Sequence, residues 1–319
     1  MRKVDPLVVL ALIGGLFVWG AVAKTEPGAF TVVMLPDTQF YSEKFPKFFD
    51  DQTKWIAANA KKENIVFVTH IGDIVQSGDE SEREWRVADG AMSRLDGIVP
   101  WGVAIGNHDY DRGEPRGRAV SFRRWFGPQR FRTEEWYRGA SENGINSYQV
   151  FNGGGREFLI LHLEADVPDT AIAWAKSVLE MHEGVPAIVS THIYLHDKTR
   201  SRDRAPFYRK EIGNSGEAIW QKLIRPNPQI FMVVCGHWGK FGGEWFQVST
   251  NDASRDVFEI LADYQFRENG GDGWMRTFRF EPEKRRILVK TYSPSLKKHE
   301  TDISSQFLIF LDFEERFSS

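Results

Sequence analysis

The stretch VPWGVAIGNHD, Val99 to Asp109, is apolar from Val99 to Ile105 and then stops on Gly106-Asn107-His108-Asp109. A short run of this kind suits a buried strand, and its polar end places an amide, an imidazole and a carboxylate at one strand terminus. The same pattern recurs on both sides of it. Phe30 to Leu35 ends at Pro36 and releases Asp37-Thr38-Gln39, and Ile65 to Thr69 leads to Gly72-Asp73-Ile74-Val75. Pro186 to Ser190 leads to Thr191-His192, and Ile230 to Cys235 to Gly236-His237-Trp238-Gly239.

The segments between the first strands carry helical spacing. A helix is expected from about Pro46, since Phe45, Phe48, Phe49, Gln52, Trp55, Ile56 and Asn59 share one stripe, and Ser81 to Glu84 has capping-box spacing ahead of Trp85, Ala88, Met92 and Leu95. Strand alternating with helix predicts a sheet built from crossover units. Further on, Ser147 to Phe151 and Glu157 to Leu163 flank Asn152-Gly153-Gly154-Gly155 as a hairpin. Asp169 is placed to cap a helix running to about His182, and Asn214 to Arg225 reads as another. The C-terminal part is mostly β, with a turn at Gly270 to Gly273 and a closing strand from Phe307 to Phe313.

Composition is that of a globular α/β chain: 41% hydrophobic and 27% charged over 319 residues. A net charge of -3 excludes a global field for nucleic acid or anionic membranes, so no specific nucleic-acid partner is predicted. One cysteine, Cys235, excludes an intramolecular disulfide framework. At the N-terminus, Arg2 and Lys3 precede an apolar stretch from Leu7 to Ala23, and Ala21-Val22-Ala23 offers the small residues of a cleavage site. Residues 1–23 are therefore expected to be a signal peptide, with an uncleaved anchor as the rival, and 24–319 a single exported domain, periplasmic or secreted. No later segment is apolar enough to span a bilayer.

Carboxylates, an amide and imidazoles at successive strand ends form the ligand set of divalent metals of intermediate softness. On Gly72-Asp73, Gly106-Asn107-His108-Asp109, His192 and Gly236-His237, the chain resembles the calcineurin-like metallophosphoesterases from about Phe30 to Pro294. The resemblance implies a four-layer αββα sandwich, two mixed β-sheets packed face to face with helices outside. It also implies a centre of one or two divalent ions, with Mn, Fe, Zn, Mg or Ca as candidates. Asp37 would hold the first ion, Asp73 would bridge, and Asn107, His192 and His237 would hold the second. His108 would be the leaving-group acid, with Asp109 orienting its ring.

Two positions depart from the family pattern. Gln39 and Gly239 stand where Asp-x-His and Gly-His-x-His would place histidines, both serving the first metal. An all-oxygen set with the Gln39 amide suits Mg²⁺, Mn²⁺ or Ca²⁺ better than Zn²⁺. His70 and Gln265 are candidates for a borrowed ligand. Gln76 occupies the position where the related purple acid phosphatases carry a metal-binding Tyr.

Two basic connections, near 110–140 and 196–211, are expected to overhang the pocket as a cap, with Asn107, Arg123, Arg124 and Arg200 binding substrate. The function expected is an exported phosphohydrolase cleaving a phosphoester of a phosphorylated small molecule or lipid by metal-activated hydroxide. A phosphodiesterase for nucleotides or phospholipid headgroups, or a binding protein that has lost the chemistry, are the alternatives.

Overall fold

The computed structural model describes residues 28–113, 118–165, 167–202 and 213–317. The signal-peptide segment lies outside the described residues, as do Arg116, Arg204, Arg209 and Lys210 of the basic connections. In chain order the strands are β1 (Phe30–Leu35), β2 (Ile65–His70), β3 (Trp101–Val103), β4 (Tyr137–Ala140), β5 (Ser147–Gly153), β6 (Arg156–Leu163), β7 (Ala187–Thr191) and β8 (Leu195–His196). They continue with β9 (Thr199–Arg200), β10 (Ile230–Cys235), β11 (Glu244–Thr250), β12 (Asp256–Ala262), β13 (Met275–Glu281), β14 (Arg286–Ser293), β15 (Lys298–Glu300) and β16 (Gln306–Phe310). The α-helices are α1 (Gln39–Glu43), α2 (Pro46–Asn59), α3 (Glu82–Met92), α4 (Val120–Phe126), α5 (Pro128–Phe131), α6 (Asp169–Met181), α7 (Gly216–Ile219) and α8 (Phe313–Phe317).

One sheet has the order β15-β14-β13-β1-β2-β3, with β16 also paired to β14, and the other β11-β12-β10-β7-β6-β5-β4. Both are mixed: β1, β2 and β3 run parallel, as do β6, β7, β10 and β12, and antiparallel strands extend each sheet. Why β1 is apolar without alternation is now plain. Val32 and Met34 meet Ile160, Ile188 and Val234 of the other sheet, whereas Val33 and Leu35 meet Phe49 and Ile56 of α2 and Trp85 of α3. Leu161, Val189 and Val233 face outward in the second sheet and are covered by Ala175 and Val178 of α6. The result is the four-layer sandwich that the resemblance implied. The parallel strands of each sheet end on the same side, where open α/β sheets place ligands.

Several local expectations change. Ser81 makes no side-chain cap, and Glu84 reaches instead to the Gln76 and Ser77 amides, at 2.8 and 3.0 Å. Asp169 lies inside its helix, bonded to Asn214 and Lys222. The helix after Asn214 is a single α-turn capped by Ser215, followed by a π segment over Trp220–Ile224. The closing strand ends at Phe310 because the Asp312 carboxylate accepts from the Glu314 and Glu315 amides and starts α8. Within the connection after Asp111, residues 118–140 are folded. Its α4 and α5 bury Phe122, Phe126 and Phe131, and Arg130 stacks on Trp101 while pairing with Asp89.

Candidate metal centre

Each motif sits just past a strand, and backbone geometry brings them together. Asp73 (φ 49°) and His237 (φ 70°) occupy the left-handed region, uncommon for residues with a side chain and concentrated at functional sites. Gly106 lets the second and third motifs touch: a Cβ there would lie 2.0 Å from the Asp73 nitrogen.

Four donor atoms converge on one point. The His192 Nε2 atom lies 3.2 Å from Asp73 Oδ2, 3.0 Å from Asn107 Oδ1 and 3.2 Å from His237 Nδ1. Ligands bonded to one tetrahedral ion at about 2.0–2.1 Å stand about 3.3 Å apart. The donor set and its spacing fit a divalent ion. His192 Nδ1 is 3.0 Å from the Ile71 carbonyl, which fixes the ring and leaves Nε2 for the site.

Beside this point, Asp37 Oδ2 accepts from the His237 amide at 3.1 Å, whereas Asp37 Oδ1 and Gln39 Oε1 are buried acceptors with no donor. Among the described residues no lysine or arginine pairs with Asp37, Asp73, Asp109 or Asp263, all at most 1% exposed. Buried charges of this kind are paired or coordinate metals. Burial, then Asp263 and Asp73, push the Asp37 carboxyl well above its usual range. Burial works the same way on Asp73, but His192 and His108 outweigh it and hold that carboxyl low. Burial pushes the His192 imidazole down, and Asp73 outweighs it and raises it above its usual range. His237 is pushed down to about 3 by burial and His192, which keeps it a neutral imidazole.

The pair expected in the acid role is not formed. Asp109 Oδ1 accepts from the Ile74 and Val75 amides at 2.7 and 3.0 Å, and Oδ2 from the Gly106 amide at 2.8 Å. It ties the second motif to the third and does not orient His108. That ring is held by the Gln76 carbonyl, 2.9 Å from Nδ1, and its amide donates to Asp73 Oδ1 at 2.8 Å. Arg112 shares the Gln76 carbonyl and stands 3.2 Å from His108 Nδ1.

His70 is not a borrowed ligand, because Nδ1 accepts from the Gly72 amide and Nε2 meets Thr38 Oγ1 at 2.9 Å. Arg200 is not free to clamp substrate. Its guanidinium bonds Glu259, Glu217 and Ser249 and lies over Trp220. Arg123 donates to the Asn143 carbonyl, and Arg124 faces Glu82 and Trp125, so both meet partners outside the centre.

Asp263 was missed in the sequence, although VFEILAD ends as the other motif strands do. Cys235 pairs with Leu261, and two residues further along each strand stand His237 and Asp263. The Gln39 amide nitrogen donates to Gln265 Oε1.

The sequence profile of the calcineurin-like phosphoesterases matches residues 30–293. The chain belongs to that family, and Asp73, His192 and His237 form a group of side chains able to hold a metal ion. It is 34% identical over 297 residues to YvnB of Bacillus subtilis, an uncharacterized protein, in a match taking in 90% of this chain and 22% of the length of YvnB. A dimetal phosphatase from Danio rerio superposes with a TM-score of 0.53 at 13% identity, covering 89% of this chain and 99% of that one. Purple acid phosphatase PPD1 from yellow lupin (Lupinus luteus) seeds superposes with a TM-score of 0.56 at 13% identity, covering 91% and 55%. At these identities the likeness to both structures is one of fold.

Proposed function

We propose that this protein is an exported phosphohydrolase that cleaves a phosphoester of a small extracytoplasmic molecule, with Asp73, Asn107, His192 and His237 holding one divalent ion and Asp37 and Asp73 facing a second. The observation that carries the reading is the convergence of four donor atoms beside an imidazole, His108, that is positioned by its neighbours and is not itself one of those donors. Ions held there supply acidified water and positive charge against the phosphoryl oxygens. Asn107 turns Oδ1 to His192, which leaves its amide N–H groups to donate to the phosphoryl group. His108 gives Nδ1–H to the Gln76 carbonyl, so the proton that moves is the one Nε2 holds when the ring is an imidazolium. Water loses one proton to solvent and its oxygen bonds to phosphorus, the P–O bond to the leaving group breaks with its electron pair going to that oxygen, and the His108 proton goes to the same oxygen; His108 regains a proton from solvent.

The substrate class is supported by a cleft next to the centre. Trp238 stands between His237 and His196, with ring centroids 4.7 and 3.9 Å away. His196 lines a cavity of about 650 Å³ with Lys198, Lys240 and Trp245. Asp197 and Glu244 line it too, so the two lysines are matched by two carboxylates, and the indole suits an aromatic group on a small molecule. Export rests on residues 1–23. No described helix is long and apolar enough to cross a membrane, and an N-terminus at Lys24 on exported protein would support cleavage.

The acid role has a specific test, the dependence of rate on leaving group. His108→Ala is expected to lower kcat by about 10²–10⁴ for alkyl phosphoesters and far less for nitrophenyl esters, whose leaving group needs no proton. Equal losses on both, with metal content unchanged, would remove His108 from the acid role.

A further inference from the structure

The two family histidines absent at Gln39 and Gly239 leave a first site whose oxygen atoms are nevertheless crowded. Gly239 has no side chain, and a Cβ built on it would lie 2.8 Å from Asp263 Oδ2. The carboxylate of Asp263 therefore stands where a side chain at 239 would begin. Gly236 does the same for Asp37, since a Cβ there would lie 2.2 Å from Asp37 Oδ1.

Between the two carboxylates lies the Gln265 amide nitrogen, 2.8 Å from Asp263 Oδ2, 3.3 Å from Asp37 Oδ2 and 3.3 Å from the His237 carbonyl. An amide offers two N–H bonds to those three acceptors, and it carries no charge to offset two carboxylates. Asp37 Oδ1 and Gln39 Oε1, in residues 1% and 3% exposed, have no donor at all. Asp263 Oδ1 also accepts from the Gln265 backbone amide at 2.9 Å, so each of its oxygens has a donor, but neither it nor Asp37 has a cationic side chain, and two orphaned oxygens beside two such buried carboxylates are what a positive ion would satisfy.

We propose that Asp263 and the Gln39 amide oxygen replace the two absent histidines and, with Asp37 and Asp73, make the first site an all-oxygen one for a hard cation of the Mg²⁺ and Mn²⁺ class. The second site keeps two imidazoles, so the two positions differ in softness, and Zn²⁺ and Mg²⁺ sort between them. The inference rests on the metallophosphoesterase reading and adds the identity of a ligand and an ion preference to it.

Chelator-stripped protein titrated with Mn²⁺, followed by calorimetry and by the electron paramagnetic resonance of the bound ion, tests it without turnover. Wild type is expected to bind two ions in a spin-coupled pair, with Mg²⁺ competing for one and Zn²⁺ for the other. Asp263→Asn is expected to weaken one ion by more than about tenfold and to give the spectrum of isolated Mn²⁺. Should that variant not fold, judged by its melting curve, Gln39→Met removes the facing amide oxygen and is expected to weaken the same ion. Two ions bound by the folded variant with wild-type affinity and coupling would overturn the inference. A wild type that binds a single ion, lost in His237→Ala and unchanged in Asp263→Asn, would overturn it and leave the phosphoesterase reading standing. Absence of Mn²⁺ binding altogether would overturn both.

Discussion

Asp109 accepts from three backbone N–H groups, and those bonds decide what its loss would do. An asparagine there would turn N–H bonds toward N–H donors. Asp109→Asn is expected to lower stability by about 1–3 kcal/mol, the scale of an unsatisfied buried polar group, whereas His108→Ala should leave it near wild type. Urea denaturation of both variants checks this, and a fully stable Asp109→Asn would mean that the three bonds contribute nothing. Sequence could propose Asp109 because it adjoins His108, but adjacency along the chain did not decide its partner. After a strand end the backbone turns, so consecutive side chains diverge: His108 meets the Gln76 carbonyl and Asp109 the amides on the far side of Gly106. Asp73, Asn107, His192 and His237 were legible because each closes a buried strand. Asp263 closes one too, but it has no glycine-histidine signature beside it, and its role depends on a side chain that Gly239 lacks.

At the scale of elements, apolar runs translated well and charged connections did not. The limits of β1 and β10 agree with the apolar runs, since burial on both faces leaves only Thr31 as a polar position in either strand. Arg200, expected over the pocket, is drawn to Glu259, which is fully buried on β12, and lies 4.0 Å over the Trp220 ring. Removing one partner of such a pair leaves an uncompensated charge. Arg200→Ala is therefore expected to cost about 3–5 kcal/mol of stability, read by thermal or urea unfolding, with KM nearly unchanged in the protein that remains folded. A raised KM at full stability would restore Arg200 to the substrate. Nothing in a run of alternating arginines distinguishes these outcomes, because the partner lies 59 residues further along the chain.

For the molecule as a whole, the two sheets bring the ends of β1, β2, β7, β10 and β12 to one place, and the carboxylates gathered there repel one another. Bound ions should therefore stabilise the fold. At a free concentration near a hundred times Kd, one ion contributes about 2.7 kcal/mol, so EDTA is expected to lower Tm by roughly 5–10 °C, and Mn²⁺ to restore it. A melting temperature indifferent to EDTA would mean that the buried acids are satisfied without metal. The four-layer arrangement followed from strand and helix order together with the resemblance. The asymmetry of the centre was expected from Gln39 and Gly239, but the place of Asp263 beside it was not, because that depends on which side chains meet across the β10–β12 pair.

The central claim, a metal-dependent phosphoesterase, is tested most directly by assaying the purified chain against nitrophenyl phosphate monoester and diester with and without added Mn²⁺. The account predicts turnover of at least one ester, abolished by EDTA, restored by Mn²⁺ and lost in His192→Ala. A protein with bound metal that turns over neither ester, nor any member of a wider phosphoester panel, would contradict it.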